Sequence, residues 1–411
     1  MNSTKKKPLS LTIINRHYPP NPGITGESAW DLTKYLIENH GIDVRIVHVK
    51  RSDLGGGQVR LPIGKTFQIS TLYKGNKGIL KLAAGFFDGL FLLLKTLRVR
   101  RGPVLCMTSP PLLPFWASWL LPLFGIRWAL WSMDLFPEGF VADGVIKKTN
   151  PIYRFVEWVT YRFAPAQLFA LGPNQAAYIQ KKYRKSLPTT ILPCGVLLDQ
   201  PHDPTPPEWR KADGKVYFGY AGNLGDAHSA DFLLAFINHF DPQKHHLILA
   251  VYGTKSANIL AVAGTKKGIT ILKNVPRSQL PYIDVHLVSL LTKWTHIAVP
   301  SKAISSICAG GAILFCGNKE ADTWALLQRA GWYIDEESAI IPQITHFLAQ
   351  LTPEEVALKK NEAESLTTEL KQMLVAAYEE VAIFSGFLSY SKKKIIPNCD
   401  LYTNTSSEPK K

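Results

Sequence analysis

At 411 residues the chain is longer than one hydrophobic core ordinarily supports, so two domains are the first expectation. Its 46% hydrophobic and 19% charged residues fit a folded protein with unusually apolar segments. The net charge of +15 lies in the first half: residues 1–200 carry 26 Lys and Arg against 11 Asp and Glu, and the remainder carries 21 of each. That asymmetry predicts an N-terminal part facing an anionic surface or substrate. No recognised nucleic-acid motif accompanies the charge, so nucleic acid is not an expected partner. Cys106, Cys194, Cys308, Cys316 and Cys399 are scattered without a Cys-x-x-Cys pair. This argues against zinc and against a disulfide framework, and for a reducing compartment.

The basic start "MNSTKKKPLSLTII" lacks an apolar run long enough for a signal peptide before "NRHYPP". "LSLTIINRHYPPNPGITGESAWDLTKYLIENHGIDVRIVHV" then reads as strand, Gly/Pro loop, helix and strand, with Ala29, Leu32, Tyr35 and Leu36 as the helical stripe. This βαβ unit opens a doubly wound sheet. Its loop, with Gly23 and Gly26, falls where such sheets bind ligands, although the spacing is not Gly-x-Gly-x-x-Gly. His17 in this loop reads as a solvated histidine.

Residues 80–131 are the most apolar part. "LKLAAGFFDGLFLLLK" predicts a helix apolar nearly all round, followed by the basic "KTLRVRR", and no charge occurs between Arg101 and Arg127. The length permits a membrane span, but Pro103, Pro110, Pro111, Pro114 and Pro122 interrupt it. The alternatives are a strand ("VLCMTS") with a buried helix, or partial insertion at a lipid interface through Trp116, Trp119 and Trp128 and flanking cations. Further along, "RWALWSMDLFPEGF" reads as a strand ending in an acidic turn, and "PHDPTPPEWRKADGK" as an interdomain linker.

The α/β rhythm restarts with "VYFGYAGNLG", a strand and glycine turn, then "SADFLLAFINHF" as helix and "HHLILAVYGT", "ITILKNV" and "VHLVSL" as strands. "VPSKAISSICAGGAIL" combines turn, helix start and buried strand, a setting in which backbone amides meet an anion. "TPEEVALKKNEAESLTTELKQMLVAAYEEVAIF" is a long helical region, and the tail "NCDLYTNTSSEPKK" looks frayed.

Taken in order, "YPPNPGITGESAWDLTKYLIENHGIDVRIV", "TSPPLLPFWASWL", "DLFPEGFVADGVI", "YAGNLG", "NVPRSQLPYIDVHLVSLL" and "VPSKAISSICAGGAIL" resemble the motifs of glycosyltransferase family 4. The resemblance is to the bacterial branch that builds O-antigen, capsule and exopolysaccharide, in particular fucosyl- and N-acetylfucosaminyl-transferase-like members. It implies a GT-B fold: two Rossmann-like, doubly wound parallel-sheet domains facing a cleft. The expected division is an acceptor-binding, membrane-facing domain at 8–200, a linker at 201–214 and a donor domain at 215–380. A helix at 381–395 would cross back to the N-domain, ahead of a tail at 396–411. The implied activity is metal-independent, anomer-retaining transfer from a nucleotide-sugar, UDP- or GDP-linked, to a polyprenyl-diphosphate-linked glycan. No cofactor is implied, and the implied place is the inner face of the cell membrane, as a peripheral protein.

Donor contacts fall on Gly222, Asn223 and Gly225, on Ser301, Lys302 and Ser305, on His228, and on Gly26, whose missing side chain admits a close approach. Lys302 reads either as a diphosphate contact or as an ordinary lysine at a helix start. Asp134 and Glu138 are the catalytic candidates, able to orient the acceptor hydroxyl or take its proton. Their alternative is N-capping by Asp134 and a favourable first-turn charge from Glu138. Lys95, Arg98, Arg100, Arg101, Trp116 and Trp119 are the membrane or acceptor candidates. Family members usually carry a glutamate that grips the nucleotide ribose where this chain has Ser305, and many have a second where it has Ile297. A serine cannot clamp a vicinal diol as a carboxylate does, and the loss amounts to about one to two factors of ten in donor affinity. Two other readings follow: a non-catalytic GT-B scaffold of a polysaccharide assembly complex, and a nucleotide-sugar epimerase, which suits the apolar, basic N-domain less well.

Overall fold

A computed structural model describes residues 9–21, 23–50, 60–71, 78–199 and 203–386. Among these, two wholly parallel sheets organise the chain. The first holds β1 (Ser10–Ile14), β2 (Asp43–Lys50), β3 (Lys65–Ser70), β4 (Val104–Met107), β5 (Trp128–Trp131), β6 (Gln167–Ala170) and β7 (Thr189–Ile191), ordered 3-2-1-4-5-6-7. Its helices are α1 (Ile24–His40), α2 (Gly78–Val99), α3 (Leu113–Leu123), α4 (Glu138–Ala142), α5 (Pro151–Thr160) and α6 (Pro173–Tyr183). The second holds β8 (Val216–Asn223), β9 (His245–Tyr252), β10 (Ile269–Ile271), β11 (Val285–Ser289), β12 (Ala312–Gly317) and β13 (Gly331–Asp335), ordered 10-9-8-11-12-13. With it go α7 (Ala230–His239), α8 (Ser256–Ala263), α9 (Ser301–Cys308), α10 (Asp322–Leu327), α11 (Ile340–Gln350) and α12 (Pro353–Phe384).

Local chemistry explains most boundaries. In β4 and β5 every residue is buried, as parallel strands covered on both faces require. The α1 stripe of Ala29, Leu32 and Leu36 is fully buried, and Gly41 ends the helix in the left-handed conformation with its N–H returning to Ile37 O. Asn150 caps α5 by accepting from the Ile152 N–H, with Pro151 filling a first-turn position. Thr352 caps α12 by accepting from the Glu355 N–H. In the apolar region, α2 and α3 pack closely because Gly89 has no side chain: a Cβ there would lie 3.0 Å from Trp116 Cδ1. Trp116 donates its indole N–H to Phe86 O at 2.8 Å. No helix among the described residues is long and apolar enough to cross a membrane, so the segment is two packed helices rather than one span.

The structure departs from the sequence reading in two respects. The edge strands β3 and β13 were not foreseen. The helix that joins the domains runs without a break from Pro353 to Phe384, so the crossing is made by its own last turns. There Glu379 accepts from Tyr35 Oη (2.5 Å) and sits 2.9 Å from His40 Nε2, and Arg127 lies over the Phe384 ring. Residues from 387 onward, most of the expected 381–395 helix and all of the tail, lie outside the described residues. The apolar core of the first sheet continues through Trp294, Ile297, Val299, Ala303 and Ile304 of the second domain, giving an apolar contact between them.

Candidate active site

Several polar contacts tie the domains together, and four of them join residues that lie beyond the carboxyl ends of strands in the two sheets. Arg277, after β10, holds Glu27 in the first turn of α1 with two hydrogen bonds of 2.5 and 2.7 Å. The Leu135 N–H, after β5, donates to Ile297 O at 3.0 Å. Ser305 Oγ donates to Gly195 O, after β7, at 2.7 Å. Asp322, after β12, accepts from the Asn174 and Gln175 N–H groups at 2.8 and 2.7 Å, capping α6 of the opposite domain. The carboxyl edges of the two sheets therefore face each other across a cleft, where doubly wound sheets place their ligands.

On the second domain's side the cleft is built around Lys302, in the first turn of α9. Its ammonium donates to Tyr220 Oη and, at 3.2 Å, to Asn223 O, and it sits 4.0 Å from the Tyr220 ring centroid. Crowding by protein pulls the amine down to about 7, although part of the side chain still meets solvent. Gly222 adopts φ +132° and has no heavy atom within 4 Å of where a Cβ would stand, so the end of β8 is open on that side. Asn223 is held from behind, because a Cβ on Gly253 would come 2.1 Å from its Oδ1. The Gly225 turn carries on to His228, whose Nδ1 donates to Ser289 O at 2.6 Å. That bond leaves Nε2 as an acceptor, and burial, with Lys302 nearby, holds the ring neutral at about 3. As it stands His228 offers an anion no positive charge. Lys255 braces the same loop by donating to the Asp226 and His228 carbonyls. Ser301 packs on Gly195, whose φ is +97° and whose Cβ would meet Ser301 O at 2.5 Å.

On the first domain's side, Asp134 stands three residues past the end of β5. It is solvent-exposed within the cleft, yet the surrounding protein lifts its carboxyl to about 6, with Asp143 adding to the rise. Pro137 takes the N-cap position of α4 without a side-chain cap bond, so Asp134 is not a helix cap. Glu138 lies elsewhere. It is 3% exposed, 3.5 Å from Lys182 Nζ and near Tyr161. Burial raises its carboxyl and the Lys182 charge counters this, so it forms a buried ion pair under α4 rather than a second group beside Asp134. Gly26 is explained by the protein's own chain: a Cβ there would stand 2.8 Å from the His17 carbonyl carbon and 3.0 Å from Tyr18 N.

The membrane and acceptor candidates sit on the side of the first domain. Arg98, Arg100 and Arg101 are exposed, Lys95 is half-buried, and Arg101 lies 3.9 Å from Asp43. Trp116 is mostly packed between Phe86 and Phe115, whereas Trp119 is exposed. Sequence reasoning missed much of this face. Phe87, Phe91 and Leu94 on α2 and Leu123 and Phe124 at the end of α3 are exposed, as are Ile152, Phe155 and Trp158 at three-residue spacing along α5. Glu27, Arg277 and Asp322 were missed as well. Arg277 stood within a quoted motif and Glu27 beside Gly26, but nothing local to either pairs them.

No family model matches the chain. Among solved structures, WaaG, a glycosyltransferase involved in lipopolysaccharide biosynthesis, superposes with a TM-score of 0.64 over 92% of this chain and 100% of its own, at 15% identity. Anabaena HepE in complex with UDP and glucose superposes at 0.63 over 91% and 100%, at 12% identity. The fold is GT-B. The probable glycosyltransferase WbjE of Pseudomonas aeruginosa is 27% identical over 267 residues, 61% of this chain and 66% of that protein. The chain thus aligns with just under two thirds of the length of this curated relative. Within the GT-B frame, Asp134 belongs to the N-terminal domain and Lys302 to the C-terminal domain, on opposite lips of the cleft.

Proposed function

We propose that this protein is a glycosyltransferase of cell-surface polysaccharide biosynthesis, moving a sugar from a nucleotide-sugar to a polyprenyl-diphosphate-linked glycan. The transfer is metal-independent and retains configuration, and the chain works as a peripheral protein on the inner face of the membrane. The observation that carries the proposal is Lys302: a cation at the head of α9, beside the open, glycine-containing end of β8, in a GT-B cleft. There it meets the donor diphosphate together with the first-turn amides of α9. As the bond from the sugar anomeric carbon to the diphosphate oxygen breaks, negative charge grows on the diphosphate, and Lys302 stabilises it. The acceptor hydroxyl oxygen bonds to the anomeric carbon and gives up its proton to the Asp134 carboxylate. The likeness to WbjE and to the GT-B structures supports this reading, and the exposed aromatic residues of α2, α3 and α5 beside arginines support the membrane part.

A second reading, a non-catalytic GT-B scaffold, is favoured by Ser305. Its hydroxyl is engaged with Gly195 O, at the position where the family keeps a ribose-binding glutamate. Incubating the protein with a panel of nucleotide-sugars and a polyprenyl-diphosphate-linked glycan extract separates the two. The enzyme reading predicts nucleoside diphosphate release that depends on the acceptor; no release with any donor upholds the scaffold.

A further inference from the structure

Away from the cleft, at the opposite edge of the first sheet, a cavity of about 280 Å³ opens between the start of β4, the start of β5 and the end of α12. Arg100, Gly102, Gly125, Arg127 and Phe384 are among the residues that line it. Arg127 stacks on Phe384, 4.7 Å from the ring centroid, and spends one N–H on Phe384 O at 3.5 Å, its one side-chain hydrogen bond among the described residues. Among the described residues no carboxylate pairs with Arg100 or Arg127. The nearby Asp43 is already taken by Arg45, Lys65 and Arg101. The sequence after Gly386 brings Lys392, Lys393 and Lys394 and no acidic residue before Asp400, so that stretch supplies no counter-charge either.

Two arginines lining one concavity suit the oxygens of a phosphate, which Arg grips in bidentate fashion. The apolar rim decides the source. Leu123 and Phe124, 69% and 56% exposed, immediately precede Gly125, and the exposed α2 residues Phe87, Phe91 and Leu94 lead toward Arg98 and Arg100 on the same domain. A ligand with an anionic phosphate head and acyl chains satisfies cavity and rim together; a free phosphate satisfies only the cavity. We propose that Arg100 and Arg127 form a headgroup pocket for an anionic phospholipid, seating the first domain on the membrane at a site separate from the acceptor cleft. The α12 end forms one wall, so the lipid also braces the helix that spans both domains.

This rests on the membrane part of the proposed function and not on its chemistry. The test is flotation with phosphatidylcholine vesicles carrying phosphatidylglycerol, comparing the full-length protein with R100Q/R127Q. The charge-matched control is K266Q/K267Q, exposed on the second domain. The double arginine variant is expected to bind such vesicles about tenfold more weakly or worse, with the control within about twofold of the parent. Equal losses in both variants, or none in R100Q/R127Q, overturn the pocket. Competition by soluble glycerol phosphate without any vesicle binding overturns the lipid source. R100Q alone, a change at an exposed side chain, gives the same comparison should the double variant not fold. Nucleoside diphosphate binding in the same samples reports the cleft separately, so failure there is not mistaken for failure of the pocket.

Discussion

Asp134 and Lys302 carry opposite pKa shifts, and together they set the expected pH profile. Below about 6 the Asp134 carboxyl is protonated and cannot take the acceptor proton. Above about 7 the Lys302 amine is neutral in the free protein and loses its charge for the diphosphate. The turnover measure kcat/KM is therefore expected to rise through pH 6 and fall above pH 7, a narrow bell reporting the free protein's groups. D134N is predicted to cut kcat by roughly 10²- to 10⁴-fold and to abolish the rising limb. An unchanged profile in D134N would remove Asp134 from the chemistry. At this scale the sequence was partly legible. Lys302 and Asp134 were singled out for their places at a helix start and just past a strand, and the structure puts them there. Glu138 was misjudged because its spacing from Asp134 says nothing of Lys182, 44 residues on, which draws it inward. Gly26 was named for the right property, the absence of a side chain, but what fills the space is the backbone of His17 and Tyr18.

Among the elements, α6 depends on a cap from the other domain. Asp322 satisfies two of its first N–H groups, and Gly172 must remain a glycine because a Cβ there would fall 2.2 Å from Asp322 Cγ. Behind the cap, Gln175 accepts from Ser132 Oγ at 2.8 Å and donates to Met133 O at 2.9 Å, so the helix start also steadies the strand end that presents Asp134. Asp322→Ala is predicted to cost about 1–3 kcal/mol in urea unfolding, by leaving buried N–H groups unpaired, and to lower kcat together with stability. Loss of stability with full kcat would mean that the cap does not position Asp134. The helices and strands themselves were largely readable from periodicity and turns, among them "AILFCG", which is the whole of β12. The edge strands β3 and β13 escaped because "KTFQIS" and "GWYID" lack the long apolar runs of fully covered strands. A cap supplied from 147 residues away leaves no local signature at all.

For the whole molecule, the domains are held in one arrangement by the Glu27–Arg277 pair, the Asp322 cap and the last turns of α12. Glu27 is 4% exposed, and Arg60 also reaches it, at 3.0 Å. Removing Arg277 leaves a buried carboxylate short of its bidentate partner across the cleft, so Arg277→Gln is predicted to widen the cleft. Small-angle scattering is expected to show a larger radius of gyration for the variant, and a bound nucleoside diphosphate to shrink the difference. Identical scattering curves would mean that α12 alone sets the domain arrangement. The two parallel-sheet domains were legible from the restarted α/β rhythm, whereas the clasp across the cleft was not, since it joins residues 250 positions apart.

On the proposed reading the cleft binds a nucleotide-sugar donor through Lys302, although Ser305 and Ile297 stand where the transferases that this chain resembles carry glutamates. The most direct measurement is calorimetric titration of the parent protein and of Lys302→Met with UDP, GDP and other nucleoside diphosphates at pH 6.5. The expected result is that one of them binds the parent and binds Lys302→Met at least about tenfold more weakly, as the loss of one charged hydrogen bond to phosphate entails. No binding by any of them, or equal affinity for both proteins, would contradict the claim.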